Sequence, residues 1–120
     1  MRGRSRDKKG EKLVMPLLRL DELESKQLIP GAEARFVHSD NMTIAYWDFE
    51  ADVLLPEHAH PHEQVANCIE GVFELTVEGE AMRLQPGSVV VIPPGATHSG
   101  RSITASRMLD VFHPVREDYR

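Results

Sequence analysis

From Ala34 onward the chain is a run of short apolar segments, each closed by a turn signal, with almost no room for a helix. Residues 34–38, 42–49, 65–69, 72–77, 81–85, 88–92 and 103–113 read as strands. They are rich in β-branched and aromatic types, which pack well on a pleated surface. In 72–77, Phe73, Leu75 and Val77 alternate with Val72, Glu74 and Thr76, the period of a strand with one buried face. Ser39-Asp40-Asn41, Glu78-Gly79-Glu80, Pro86-Gly87 and Pro93-Pro94-Gly95 supply the turns. Only residues 16–28 allow a helical turn, which places Leu17, Leu18, Leu20 and Leu23 to cover an open end of the core. Short strands at regular spacing predict an all-β sandwich or barrel and argue against a βαβ fold.

At 120 residues the chain supports one core, and with aromatics at 6% that core relies on aliphatic side chains. The net charge of −5 is uneven: residues 1–14 hold six Lys/Arg against two acids, leaving −9 on residues 15–120. An acidic body repels phosphate backbones, so nucleic acid is not expected as a partner. Residues 1–14 read as a basic, solvated and disordered extension, and residues 15–120 as the folded domain. No apolar run approaches the roughly 20 residues that span a bilayer, so no membrane association is expected. The basic start lacks a following apolar stretch, and a lone Cys68 cannot form an intramolecular disulfide. These features together point to the cytoplasm.

The most informative segment is His58-Ala59-His60-Pro61-His62-Glu63-Gln64. Residues two apart on a strand share a face, so His58 and His60 can chelate one ion through imidazole nitrogens. Pro61 breaks the strand, and Gln64 returns on the next with its amide oxygen. A second segment runs from Gly87 through Pro93 and Gly95 to His98, which an antiparallel barrel can set facing the first pair. Imidazole donors suit a divalent transition ion such as Zn, Ni, Mn or Fe, and not Mg or Ca. His62 reads as an exposed loop residue, His38 and His113 as surface or strand-end histidines, and Cys68 as a small buried hydrophobe.

The two segments resemble the paired motifs of the cupins, G-x5-H-x-H-x3/4-E-x6-G and G-x5-P-x-G-x2-H-x3-N. That resemblance implies an all-β, double-stranded β-helical (jelly-roll) barrel. Two positions depart from it: Gln64 replaces the usual Glu, and Ser102 replaces the final Asn. With three imidazoles and an amide the ligand set is neutral, so a bound ion keeps its full charge for an anionic substrate.

Near the C-terminus, Met108, Asp110 and Phe112 share one strand face. An acid inside such an apolar strand needs a partner or a task. On an inward face, Asp110 serves as general acid or base and Phe112 as an apolar wall. Arg116, with its forked guanidinium, can hold a carboxylate. The competing reading is that Asp110 and Arg116 form a structural ion pair.

The HAHPHEQ segment, the VVVIPPGATHSG segment and the ending LDVFHPVREDYR are similar to the KdgF family of small cupins, over about residues 28–120. The resemblance implies a metal-dependent enzyme of pectin or alginate degradation that converts 4,5-unsaturated monouronates to linear 4-deoxy-5-keto uronates. It implies metal ligation by His58, His60, Gln64 and His98, catalytic roles for Asp110 and Arg116, and substrate contacts from Phe112 and Arg116. A small anionic sugar acid is then the partner, and a homodimer the expected assembly. A metal-dependent dioxygenase and a non-catalytic sugar-binding or sensing cupin remain the alternatives from other classes.

Overall fold

The computed structural model describes residues 4–6, 10 and 12–120. The expected extension over residues 1–14 therefore lies partly outside the described residues. Within it, β1 (Arg4–Arg6) and β2 (Lys12–Val14) pair antiparallel. The barrel strands are β3 (Lys26–Ile29), β4 (Ala32–His38), β5 (Thr43–Phe49), β6 (Leu54–His58) and β7 (Glu63–Glu70). They continue as β8 (Phe73–Val77), β9 (Glu80–Leu84), β10 (Val89–Ile92), β11 (His98–Ser102) and β12 (Ser106–His113).

These strands form a six-stranded sheet, β10-β7-β12-β5-β4-β3, and a four-stranded sheet, β6-β11-β8-β9. Every pairing is antiparallel. This is the double-stranded β-helical barrel that the motifs imply.

Strict alternation fills the interior. Along β5, Thr43, Ala45, Trp47 and Phe49 are buried while the residues between them are partly exposed, and β12 repeats the pattern with Ser106, Met108, Asp110 and Phe112. Asp110 therefore lies on the inward face. Alanines at 32, 34, 45 and 66 keep that face shallow and leave space for the rings of Trp47, Phe49 and Phe73. Gly100 belongs to the same economy of volume, because a Cβ there would stand 2.5 Å from the Phe73 ring. Gly71, at φ 80°, takes the left-handed turn between β7 and β8. Pro56 sits inside β6, where it is tolerated because β6 is an edge strand.

Two expectations need correction. The turn in residues 16–28 is a single 3-10 turn, Leu20–Glu22, and its leucines do not cover the core: Leu17, Leu18 and Leu20 are 76%, 51% and 42% exposed. A second 3-10 turn, Glu117–Tyr119, went unforeseen, and its Tyr119 packs onto the core instead. The last strand also starts at Ser106, three residues later than the apolar pattern suggested. Residues 103–105 bend there so that the Ile103 and Thr104 amides can bond the Val72 carbonyl. Among the described residues, no helix is long and apolar enough to cross a membrane.

Candidate metal centre and adjoining cavity

Register brings the two histidine segments together. His98 opens β11 directly opposite His58, the last residue of β6. His60 lies beyond the strand end, so strand alternation does not aim it as expected; a hydrogen bond from its own Nδ1 to the His62 carbonyl (3.0 Å) does. The remaining two rings are fixed the same way, His58 Nδ1 to the Pro56 carbonyl (2.8 Å) and His98 Nδ1 to the Ala96 carbonyl (3.0 Å). A carbonyl only accepts, so each Nδ1 carries the proton and each Nε2 is left with its lone pair.

The ligand atoms of His58, His60 and His98 lie within 4.8 Å of one another. Burial, the Arg116 charge and neighbouring His98 push the His60 pKa down to about 4, and burial first of all lowers that of His98. Both rings are therefore neutral at physiological pH. Gln64, on β7, brings its Oε1 to 3.1 Å from His60 Nε2. With Nδ1 protonated, these two atoms are both acceptors, and His98 Nε2 is buried with no partner at all. A cation among them satisfies every one of these lone pairs, so the residues fit a bound divalent ion.

The same cavity is lined by Trp47, His58, Gln64, His98, Asp110, Phe112, Arg116 and Tyr119. Asp110 is 9% exposed, and its Oδ1 has no hydrogen-bond partner. Burial raises its pKa to about 7, although Gln64, the Arg116 charge and Trp47 all act to hold it down. The ion pair between Asp110 and Arg116 does not form. Arg116 instead pairs with Asp118, Nη2 to Oδ2 at 2.7 Å. Phe112 is 2% exposed, with its ring edge-on to His60 at 5.5 Å.

Among the described residues, four buried side-chain atoms lack any partner: His62 Nδ1, His98 Nε2, Asp110 Oδ1 and Arg116 Nη1. All four belong to this corner of the molecule. His62 is partly buried, not exposed as expected, with its ring 5.5 Å from that of His60. A larger groove on the outer sheet face, lined by Arg19, Tyr46, Asp48 and Leu109 among others, holds none of these atoms. Elsewhere Cys68 is 1% exposed, as expected of a small hydrophobe. His38 is bonded to Thr43 and to the Tyr119 carbonyl, and so has a structural place that its spacing did not reveal.

The first motif's leading glycine falls on Asp52, which keeps a left-handed φ of 62° and pairs with Arg101 at 2.8 Å. Asp is one of the few side chains that tolerate that region. The family model for the cupin domain matches residues 45–112, more than half of the chain.

The chain belongs to the cupin family.

This cupin is 28% identical over 102 residues to the pectin degradation protein KdgF of Dickeya dadantii, covering 82% of the chain and 93% of that protein. Over 100 residues it is also 28% identical to the H2HPP isomerase of Bacillus subtilis, covering 81% of the chain but 42% of the length of that relative. The solved structure of KdgF from a Halomonas species superposes with a TM-score of 0.79 at 27% identity, covering 83% of this chain and 94% of that one. The protein is thus a KdgF-like cupin.

Sequence reasoning missed Trp47, Tyr119 and Thr43. Trp47 and Tyr119 line the cavity, and Thr43, 0% exposed, accepts the Arg116 backbone N–H at 2.9 Å. Inward alternation on β5 could have flagged Trp47. Tyr119 had only its place just after Arg116 as a signal.

Proposed function

We propose that this cupin is an enzyme that binds one divalent transition metal ion through His58, His60, Gln64 and His98. Its reaction is the conversion of 4,5-unsaturated monouronates to linear 4-deoxy-5-keto uronates. The observation that carries the reading is a buried carboxyl, Asp110, with a pKa near 7, sharing one cavity with Arg116 and a neutral donor set. An acid poised near neutrality can both take and return a proton. The kinship with a pectin degradation protein supports a uronate as substrate, and the kinship with an isomerase supports a reaction without net oxidation.

When bound, the ion supplies positive charge that polarises a substrate oxygen. Arg116 holds the carboxylate, and Phe112 and Trp47 form the apolar wall that keeps water from the ring. Asp110 takes the proton of the anomeric hydroxyl. The bond between C1 and the ring oxygen breaks, and C1 becomes a carbonyl. The electron pair released onto the ring oxygen makes C5 a ketone and draws a proton from Asp110 onto C4. Atoms and electrons balance as an isomerisation.

The test follows the ultraviolet absorbance of the conjugated double bond in 4,5-unsaturated galacturonate. Metal-loaded protein should accelerate its loss, and a chelator should abolish the acceleration. No acceleration by fully loaded protein rejects the reaction.

A further inference from the structure

Arg116 is held far more tightly than burial alone requires. Its guanidinium sits in the corner formed by two rings that meet edge-on, 4.8 Å from the centroid of Phe112 and 4.1 Å from that of Tyr119. Asp118 takes one edge, with Nε to Oδ1 at 2.9 Å and Nη2 to Oδ2 at 2.7 Å. Two rings and a carboxylate thus hold it. Nη1 is the nitrogen left over, buried and without a partner, on a residue that is 6% exposed and lines the cavity.

The turn that carries these groups is anchored to β4 and β5. The Arg116 backbone N–H donates to Thr43 Oγ1 (2.9 Å), which lies 2.8 Å from His38 Nδ1. His38 Nε2 donates to the Tyr119 carbonyl at 3.3 Å, because that oxygen can only accept. This fixes the tautomer, so the Thr43 hydroxyl donates to Nδ1 and the relay closes from Arg116 to Tyr119. The Phe36 ring packs on Tyr119 at 4.5 Å.

The geometry points to Asp118 and Tyr119 as positioning residues that orient Arg116 so that Nη1 is presented to one carboxylate oxygen of the ligand. The inference rests on Arg116 being the carboxylate anchor. The side chain of Asp118 is 58% exposed but that of Arg116 only 8%, so the pair both partners a buried guanidinium and sets its orientation. Paired at Nε and Nη2, the guanidinium loses its freedom to rotate, and Nη1 is already aimed when a ligand arrives.

The test uses the full chain loaded with metal and D-galacturonate, a saturated and unreactive uronate, as probe. In Asp118→Asn, galacturonate binding should weaken about tenfold, the effect of losing one charge-assisted hydrogen bond. The NMR signal of Arg116 Nε–H should shift and exchange faster, measured well below the unfolding midpoint of the variant. Asp118→Glu should restore part of the affinity, and on a turned-over substrate KM should move more than kcat. Unchanged affinity and an unchanged Nε–H signal in Asp118→Asn overturn the inference alone. If Arg116→Gln also binds galacturonate as tightly as the wild type, the anchor reading falls with it.

Discussion

His58, His98 and Arg116 line one cavity, with His60 clustered against the other two rings, yet they are held there by different means. Each imidazole is oriented by a backbone carbonyl two residues away in the chain: Pro56 for His58, His62 for His60 and Ala96 for His98. The guanidinium of Arg116 pairs with nearby Asp118, but its backbone N–H is held by a side chain 73 positions away and its turn by His38, 81 positions from Tyr119. One end of the site is wired locally through main chain, the other through tertiary packing of side chains. Local wiring survives side-chain change around it. The C-terminal end should be the easier of the two to disturb from a distance.

The sharpest break comes at the point where both ends converge. Asp110→Asn keeps shape but removes the titrating group, so turnover of unsaturated galacturonate should fall by about 10²–10⁴-fold with metal retained, read by steady-state kinetics alongside metal analysis. The same variant carries a pH signature in the chelated protein. The folded-state pKa of Asp110 is raised from 3.8 to about 7, so the folded protein binds a proton that the unfolded chain has lost. The favourable contribution is present below about pH 4 and is lost as pH rises through about 7. Wild type should therefore lose stability relative to Asp110→Asn across that window, on the order of 3 kcal/mol, in paired denaturant titrations. A flat difference would place Asp110 in a wetter site than its burial indicates.

Removing a ring from the local end comes next. His98→Ala should weaken metal affinity by at least about 100-fold in chelator competition while the β fold is retained by circular dichroism. On the other side, Arg116→Gln should raise KM by about 10–100-fold, the range for a lost hydrogen bond between charged partners, with metal affinity unaltered. A parallel loss of metal would show the two ends to be one cooperative unit.

The smaller effects test the comparison most directly. Phe36→Leu, on β4 and away from the metal donors, should raise KM a few-fold by loosening Tyr119, with no change in metal affinity. Pro56→Ala removes a side chain but keeps the carbonyl that orients His58, so metal affinity should stay within about twofold of wild type. If Pro56→Ala harmed metal binding more than Phe36→Leu harmed KM, the division into local and long-range wiring would be wrong.

Much of this was legible from residue order. The motif resemblance pointed His58, His60, Gln64 and His98 to one centre, and the antiparallel register sets His98 opposite His58, while the turns at Gly71 and Gly95 carry the chain between the two sheets. Alternation placed Asp110 on one face with Met108 and Phe112, and the fold turns that face inward. The leucines of residues 16–28 misled, because amphipathic character says that a segment wants cover and not where it finds it. Sequence reasoning singles out only Asp110 as a partner for Arg116, and Asp118, two residues from Arg116, is the one that pairs with it.

What the sequence by itself determined is the all-β strand pattern, the two histidine segments able to face one another and the one strand face shared by Met108, Asp110 and Phe112, all consequences of a period of two and of short turns. Only the tertiary structure decided that Arg116 turns toward Asp118, that Tyr119 and Phe36 stack behind it, and that Thr43 and His38 tie the last turn to β4 and β5. Apart from the Arg116–Asp118 pair, two positions apart, those contacts join positions that no local periodicity relates. They exist because the folded barrel leaves a buried guanidinium, which must find its hydrogen bonds wherever the packed chain offers them.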